Sequence, residues 1–383
     1  MTAQIWPFKP REELIEVLEW RTDVFRAKSA EQRIALRTAP RRTFNLTHTL
    51  TDYEYASARA LIRNAQGGDG FLVPDWPQSV AVGTVLAGSA ETITANLADI
   101  DMGDTAFLWE SLSLFESVNI SFDSNGASVD PVTNDYESAR LAPLWPAQCP
   151  DGLTAQRIGA RLNQVSAAFT LTENNDLAAS SYAEYRSQDV MPSCPIIGEG
   201  NLEESITWPL SDFDNQQSIP EYIRQRDIPN MRFSMRWIEF TKEAQFALRQ
   251  WIHSRRGQQK AFWFSSQGQD FEPAASVSGT TVTTYALPGF TGVGHSGVFD
   301  IDILANDETH YYRRVSVAAT GTPIAGRATL DLTIDSTLTL DLADINRISF
   351  LRCARFAADR FEFLHRAAGG MSVQVPCIEI EEP

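Results

Sequence analysis

Arg42-Thr-Phe-Asn-Leu-Thr-His-Thr-Leu50 is followed by Thr51 to Arg63, by Gly67 and Gly68, and by the apolar run Phe71-Leu72-Val73. The same order returns later as Met231-Arg-Phe-Ser-Met-Arg-Trp-Ile-Glu-Phe240, Thr241 to His253, Gly257 and Ala261-Phe262-Trp263-Phe264. A constant offset of 190 brings Thr51 onto Thr241, Arg59 onto Arg249, Ile62 onto Ile252 and Gly67 onto Gly257 without a gap. Chance is a poor explanation for four matches in register, so the chain is expected to hold two tandem copies of one unit.

Each copy reads as strand, helix, strand. Phe44, Leu46, His48 and Leu50, and then Phe233, Met235 and Trp237, alternate with the period of two of a half-buried strand. Both strands run into a threonine suited to cap a helix, and Thr51-x-x-Glu54 completes a capping box that the second copy lacks. Ala58, Leu61, Ile62 and Ala65, like Leu248, Trp251 and Ile252, form one apolar stripe at helical spacing. Gly67 and Gly257 fall where a helix stops in a left-handed residue.

Between these pieces the sequence alternates in short β-like runs, among them Val118–Phe122, Phe299–Ile303, Tyr311–Val317 and Thr329–Ile334. Ala167–Leu171 and Met371–Val375 close the two copies as further strands. The expected fold is therefore β-rich α+β: two tandem units, each a strand-helix-strand core closed by antiparallel strands and carrying an inserted β domain. The first core takes residues 1–75 and 146–190 around an insert at 76–145. The second takes 191–271 and 351–383 around an insert at 272–350.

Composition narrows the function. A net charge of −17 weighs against a protein that grips nucleic acid, which needs clustered Lys and Arg. The charge is uneven: residues 1–66 hold eleven Lys/Arg against eight Asp/Glu, a net +3 that leaves −20 on the remainder. A basic entry segment on an acidic body suits like copies meeting head to tail, and equally suits a solvated surface. Cys149, Cys194, Cys353 and Cys377 lack metal or redox spacing and read as buried thiols, and the five histidines are as scattered, so no metal and no cofactor is expected. No apolar run approaches membrane-spanning length, and the N-terminus has no signal-peptide pattern. Gly292-Val-Gly-His-Ser-Gly297 matches a dinucleotide fingerprint, but the alternating Val298–Ile303 behind it reads as a strand where that motif needs a helix, so a glycine-rich turn is expected. Trp109, Phe115, Tyr311 and Tyr312 could line a saccharide platform, although burial inside the inserts is the commoner fate of such residues.

The strand, threonine-capped helix, glycine stop and aromatic strand of Met231–Phe264 resemble the core shared by tail-tube, distal tail and minor tail proteins of long-tailed bacteriophages. Glu19-Trp-Arg-Thr-Asp-Val24, with Glu31-Gln-Arg33 and Pro40-Arg-Arg42, is similar to the entry segment of siphophage distal tail proteins, and Arg352–Asp359, Arg360–Leu364 and Val373–Pro376 have the look of a tail protein's last strands. The resemblance covers about a third of the chain. It implies a non-enzymatic ring at the end of the tail tube, located in the virion tail and joining the tube to the baseplate or receptor-binding apparatus. The implied partners are the tail tube protein, the tape measure protein, baseplate hub or fibre proteins, and DNA only in transit. Two cores per chain favour a trimer with pseudo-sixfold symmetry over a hexamer. The acidic balance would keep DNA phosphates off the bore wall. Candidate contact residues in such a ring are Arg41, Arg42, Phe44, Leu46, Phe233, Met235 and Trp237; for Arg41 and Arg42 a solvated turn is the competing reading. The alternative function is a baseplate module whose inserts bind host-surface glycans.

Overall fold

The computed structural model describes residues 3–380, apart from residue 12 and segments 28–30, 66–69, 89–90, 94, 124–125, 174–176, 178–181, 192–203, 215, 217–218, 226–228, 289–297 and 367–369. The chain is β-rich α+β, with 28 strands and two α-helices among the described residues. The first half opens with β1 (Gln4–Ile5), β2 (Glu13–Glu19) and a hairpin of β3 (Thr22–Arg26) and β4 (Glu31–Ala35). It continues with β5 (Arg41–Thr51), α1 (Asp52–Asn64) and β6 (Phe71–Pro74). Its insert holds β7 (Val80–Val85), β8 (Glu91–Ile93), β9 (Thr105–Ser111), β10 (Leu114–Asp123) and β11 (Gly126–Val129); β12 (Tyr136–Gln148), β13 (Leu153–Arg157) and β14 (Leu162–Leu171) complete it.

The second half begins with β15 (Glu184–Tyr185), β16 (Gln188–Met191), β17 (Glu204–Thr207) and a hairpin of β18 (Leu210–Phe213) and β19 (Glu221–Arg224). Then come β20 (Asn230–Glu239), α2 (Lys242–Arg255) and β21 (Phe262–Ser265). Its insert is β22 (Val277–Tyr285), β23 (Phe299–Ala305), β24 (His310–Thr320) and β25 (Thr329–Leu340), followed by β26 (Ile345–Phe356), β27 (Arg360–Arg366) and β28 (Met371–Glu379).

The same pairings run through both halves. β5 lies antiparallel between β2 and β14, and β14 borders β13. β20 lies antiparallel between β17 and β28, and β28 borders β27. β6 is antiparallel to β12 and parallel to β1, as β21 is antiparallel to β26 and parallel to β16. β12 and β26 each run on into the insert, β12 beside β7 and β9, β26 beside β23.

One pairing joins the halves. β2 and β27 run antiparallel from Glu13 opposite Arg366 to Glu19 opposite Arg360. The result is one continuous sheet in the order β13-β14-β5-β2-β27-β28-β20-β17. β2 is flanked on both sides, so its sequence, Glu-Leu-Ile-Glu-Val-Leu-Glu, buries Val17 on the face opposite Leu14, Glu16 and Leu18.

Both helices cover one face of this sheet. Thr51 caps α1, accepting from the Glu54 amide at 3.3 Å while its own amide donates to Glu54 Oε2 at 2.7 Å. Thr241 caps α2 by accepting from the Ala244 amide at 3.2 Å, and α2 ends in Arg256 and Gly257, at φ +53° and +64°. Gly67 and Gly68 lie outside the described residues. The core is correspondingly double: Trp6, Phe44, Leu46, Ala58 and Phe169 pack in the first half, and Trp237, Trp251, Phe262 and Phe363 in the second. Each insert has its own smaller apolar cluster.

The opposite face of the sheet carries many polar side chains around the apolar Ile15, Val17 and Leu364. Thr43, Asn45, Thr47, Gln164, Ser166 and Gln374 sit there with three acids, Glu13, Glu19 and Glu362, and five arginines, Arg41, Arg232, Arg236, Arg360 and Arg366. The acidic surplus of the chain is therefore not carried by this face.

Candidate functional site at the seam between the halves

β2 hands its inner side chains to three environments in turn. Leu14 joins the first core, Leu18 and the following Trp20 join the second, and Glu16 sits between them with no exposure. Glu16 Oε1 accepts from Arg42 Nε at 2.6 Å and Arg249 Nη2 at 3.0 Å; Oε2 contacts Arg249 Nη1 at 3.1 Å and His365 Nε2 at 2.9 Å. Arg42 donates Nη2 to Asp75, which also accepts from Gln78. The Arg42 guanidinium lies over the Phe44 ring, 4.7 Å from its centroid.

Complete burial opposes ionisation of Glu16. The guanidiniums of Arg249 and Arg42, reinforced by His365, outweigh it and hold the carboxyl well below the usual carboxylate range. Burial works against Arg42 in the same way, and Glu16 and Asp75 more than offset it, raising its pKa. His253, beneath Trp20, is pushed down to about 3 by burial, with Arg249 and Arg42 adding to the effect. Such a network adds little net stability over an apolar core, but it penalises any arrangement that separates its members. It fixes β2, β5, β27 and α2 relative to one another.

Above the network a cleft of about 480 Å³ opens between the halves, lined by Lys9, Arg11, Trp76, Arg140, Lys242 and Arg366. Burial and then Arg140 lower the pKa of Lys9. Burial also lowers Lys242, with Asp75 opposing and Arg140 and Arg249 adding. Lys242 donates to the Pro77 carbonyl, and Arg140 Nη2 to Ser79 Oγ at 3.0 Å. A basic cleft in an acidic chain suits an anionic group. Among the described residues no group of three or more His, Cys, Asp or Glu could hold a metal, and no helix is long and apolar enough to cross a membrane.

The residues singled out in the sequence fall in different places. Arg42, expected to reach a neighbouring copy, is instead consumed inside the chain, because its buried charge is already met by Glu16 and Asp75. Phe44 and Leu46 are interior to the first core, Met235 and Trp237 to the second. Phe233 is half-buried and stacks on Phe264 at 5.3 Å, and Arg41 is exposed opposite Glu19. Trp109 packs edge-on against Trp76, while Phe115 lies tilted on Phe107 and Tyr312 on Tyr185; Tyr311 packs against the cluster of the second insert. Cys149 is half-buried and Cys353 and Cys377 are buried, while Cys194 and the glycine-rich Gly292–Gly297 lie outside the described residues.

Sequence reasoning missed Glu16, Asp75 and His365. The only signal was Arg249, whose match to Arg59 was visible but had no acidic partner at any readable spacing. No family model matches this chain, and no curated protein sequence matches it.

Proposed function

We propose that the chain is a structural ring protein of a long-tailed bacteriophage, acting at the distal end of the tail tube to join it to the baseplate or receptor-binding apparatus. In this reading it has no catalytic role. It derives from a duplicated tail-tube-like unit, and three chains supply six units around a channel for the tape measure protein and then DNA, with the tail tube protein on one face and hub or fibre proteins on the other. A hexamer is the competing stoichiometry.

The observation that carries the reading is the sheet itself. Two sets of strands paired in one order lie side by side, with both helices on one face and, among the described residues, a strand with one open edge at each end. A sheet built this way is suited to closure with further copies, because closure removes exposed edges. The resemblance of Met231–Phe264 to tail proteins supports the same reading.

Electron microscopy of the purified protein with mass photometry tests it. Annular particles with a central bore and a mass of three chains are expected. A chain that stays monomeric at high concentration and low salt counts against the proposal.

A further inference from the structure

Among the described residues the sheet ends on two strands paired on one side only, β13 and β17, and these are the counterparts of the two strands that already pair inside the chain. Phe44 lies between Glu16 of β2 and Phe169 of β14, while Phe233 lies between Glu204 of β17 and Cys377 of β28. β17 therefore occupies beside β20 the place that β2 occupies beside β5. By the same reasoning β13, opposite β14, takes the place of β27, opposite β28, with Ala155 facing Val165 as Phe363 faces Val373.

The side chains repeat as well. Glu16, Leu18 and Trp20 recur at one spacing of 188 as Glu204, Ile206 and Trp208. At the internal seam Trp20 is 2% exposed, set edge-on against His253 and Phe361. Its counterpart Trp208 is 42% exposed, and Ile206 is 62% exposed. At the other end of the sheet α1 presents Arg59 and Ile62 where α2 presents Arg249 and Ile252, and β13 presents Arg157 where β27 presents His365. Leu248, Arg249, Trp251, Ile252 and His253 of α2 are all buried, whereas Ala58 alone is buried on α1.

The hairpins follow the pattern. β3–β4 reaches from the first half to the second through Glu31, whose Oε2 accepts from Arg355 Nη2 at 2.9 Å, and through Thr22, whose Oγ1 donates to Asp359 at 3.0 Å. Its counterpart β18–β19 leaves Phe213 and Tyr222 more than 60% exposed.

We infer that β17 of one copy adds to β13 of the next in the register of the internal seam. The pairing is antiparallel, with Ala155 opposite the partner's Glu204 and Leu153 opposite the partner's Ile206. The partner's Trp208 and Ile206 cover the open stripe of α1, and the partner's Glu204 meets Arg59 and Arg157 as Glu16 meets Arg249 and His365. In the single chain Glu204 pairs at the surface with Arg352 at 2.5 Å and Arg157 with Asp52 at 3.4 Å, solvent-exposed contacts that dissolve at little cost. The occupant is a second copy because only this chain carries both the edge and its complement. The inference rests on the ring reading for its closure, since a head-to-tail contact closes only if its rotation does.

Ala155→Cys combined with Glu204→Cys in the full chain tests the register, because residues directly opposite in an antiparallel pair lie about 4.5–5.5 Å apart at Cα, within disulfide reach. Oxidation is expected to give a ladder of covalent oligomers ending at the ring, whereas either single variant and the off-register pair Ala155→Cys/Ser205→Cys give none. Independently, Glu204→Arg is expected to weaken association on the order of 100-fold, with Arg59→Glu/Arg157→Glu restoring it. If the wild type forms rings but the in-register pair fails to cross-link and Glu204→Arg associates normally, this interface is overturned while the ring reading survives. A wild type that never associates overturns both.

Discussion

Replacing Glu16 by Gln keeps the shape of the seam and removes its charge. Arg249 then loses its ion-pair acceptor among the described residues and stays 3% exposed, while Arg42 keeps Asp75. Removing one member of a buried ion pair costs about 3–5 kcal/mol because the remaining charge is left uncompensated. Glu16→Gln is expected in that range, and Arg249→Gln similarly. The double variant should cost less than the sum of the two by at least about 1 kcal/mol, since they act on one contact. Urea denaturation at pH 7 reads this as a lower midpoint at unchanged slope.

Acid supplies an independent check of the sign. The Glu16 carboxyl is depressed in the folded chain, so its contribution is complete above its ordinary value of 4.5 and is lost as pH falls from there through the folded value. The stability gap between wild type and Glu16→Gln should therefore narrow below about pH 4.5. A loss under 1 kcal/mol at pH 7, or a gap that widens on acidification, refutes the account of the seam.

Three further outcomes follow from the geometry. Thr51→Ala removes the cap of α1 and should cost about 1 kcal/mol in the same denaturation assay. Gly257→Ala should cost about 2 kcal/mol or more, because φ is +64° and the new Cβ would collide with the Asp359 carboxylate that accepts from Thr22 and Gln258; thermal unfolding checks it. Burial pushes the Cys149 thiol up to about 11 and Cys377 well above its ordinary value, so iodoacetamide at pH 8 should leave both unmodified in the folded chain and label both in urea, as peptide mass spectrometry would show.

The helices and their flanking strands were legible because their signals are local. Thr51 and Thr241 begin α1 and α2, the alternations from Phe44 and Phe233 are β5 and β20, and Met371–Val375 falls in β28. β2 was not legible as a strand, since Leu-Ile and Val-Leu neighbours destroy the period of two when a strand is paired on both sides and buried on both faces. Its central Glu16 looks like a surface charge until its partners are known, and these lie 26, 233 and 349 residues away. The equivalence of β2 with β17 was hidden by unequal spacing. The helices match at 190, but Phe44 and Phe233 are 189 apart, with Phe240 as the extra residue, and Trp20 and Trp208 are 188 apart.

The pairing of β2 with β27 also bears on how the chain is made. Glu16 leaves the ribosome 349 residues ahead of His365, and until His365 follows the central strand of the sheet has one flank bare and Trp20 uncovered. Contacts of such sequence separation fold slowly and invite mispairing between nascent chains. Production at lower temperature or with holdase chaperones should therefore raise the soluble yield far more than it changes the stability of the finished protein.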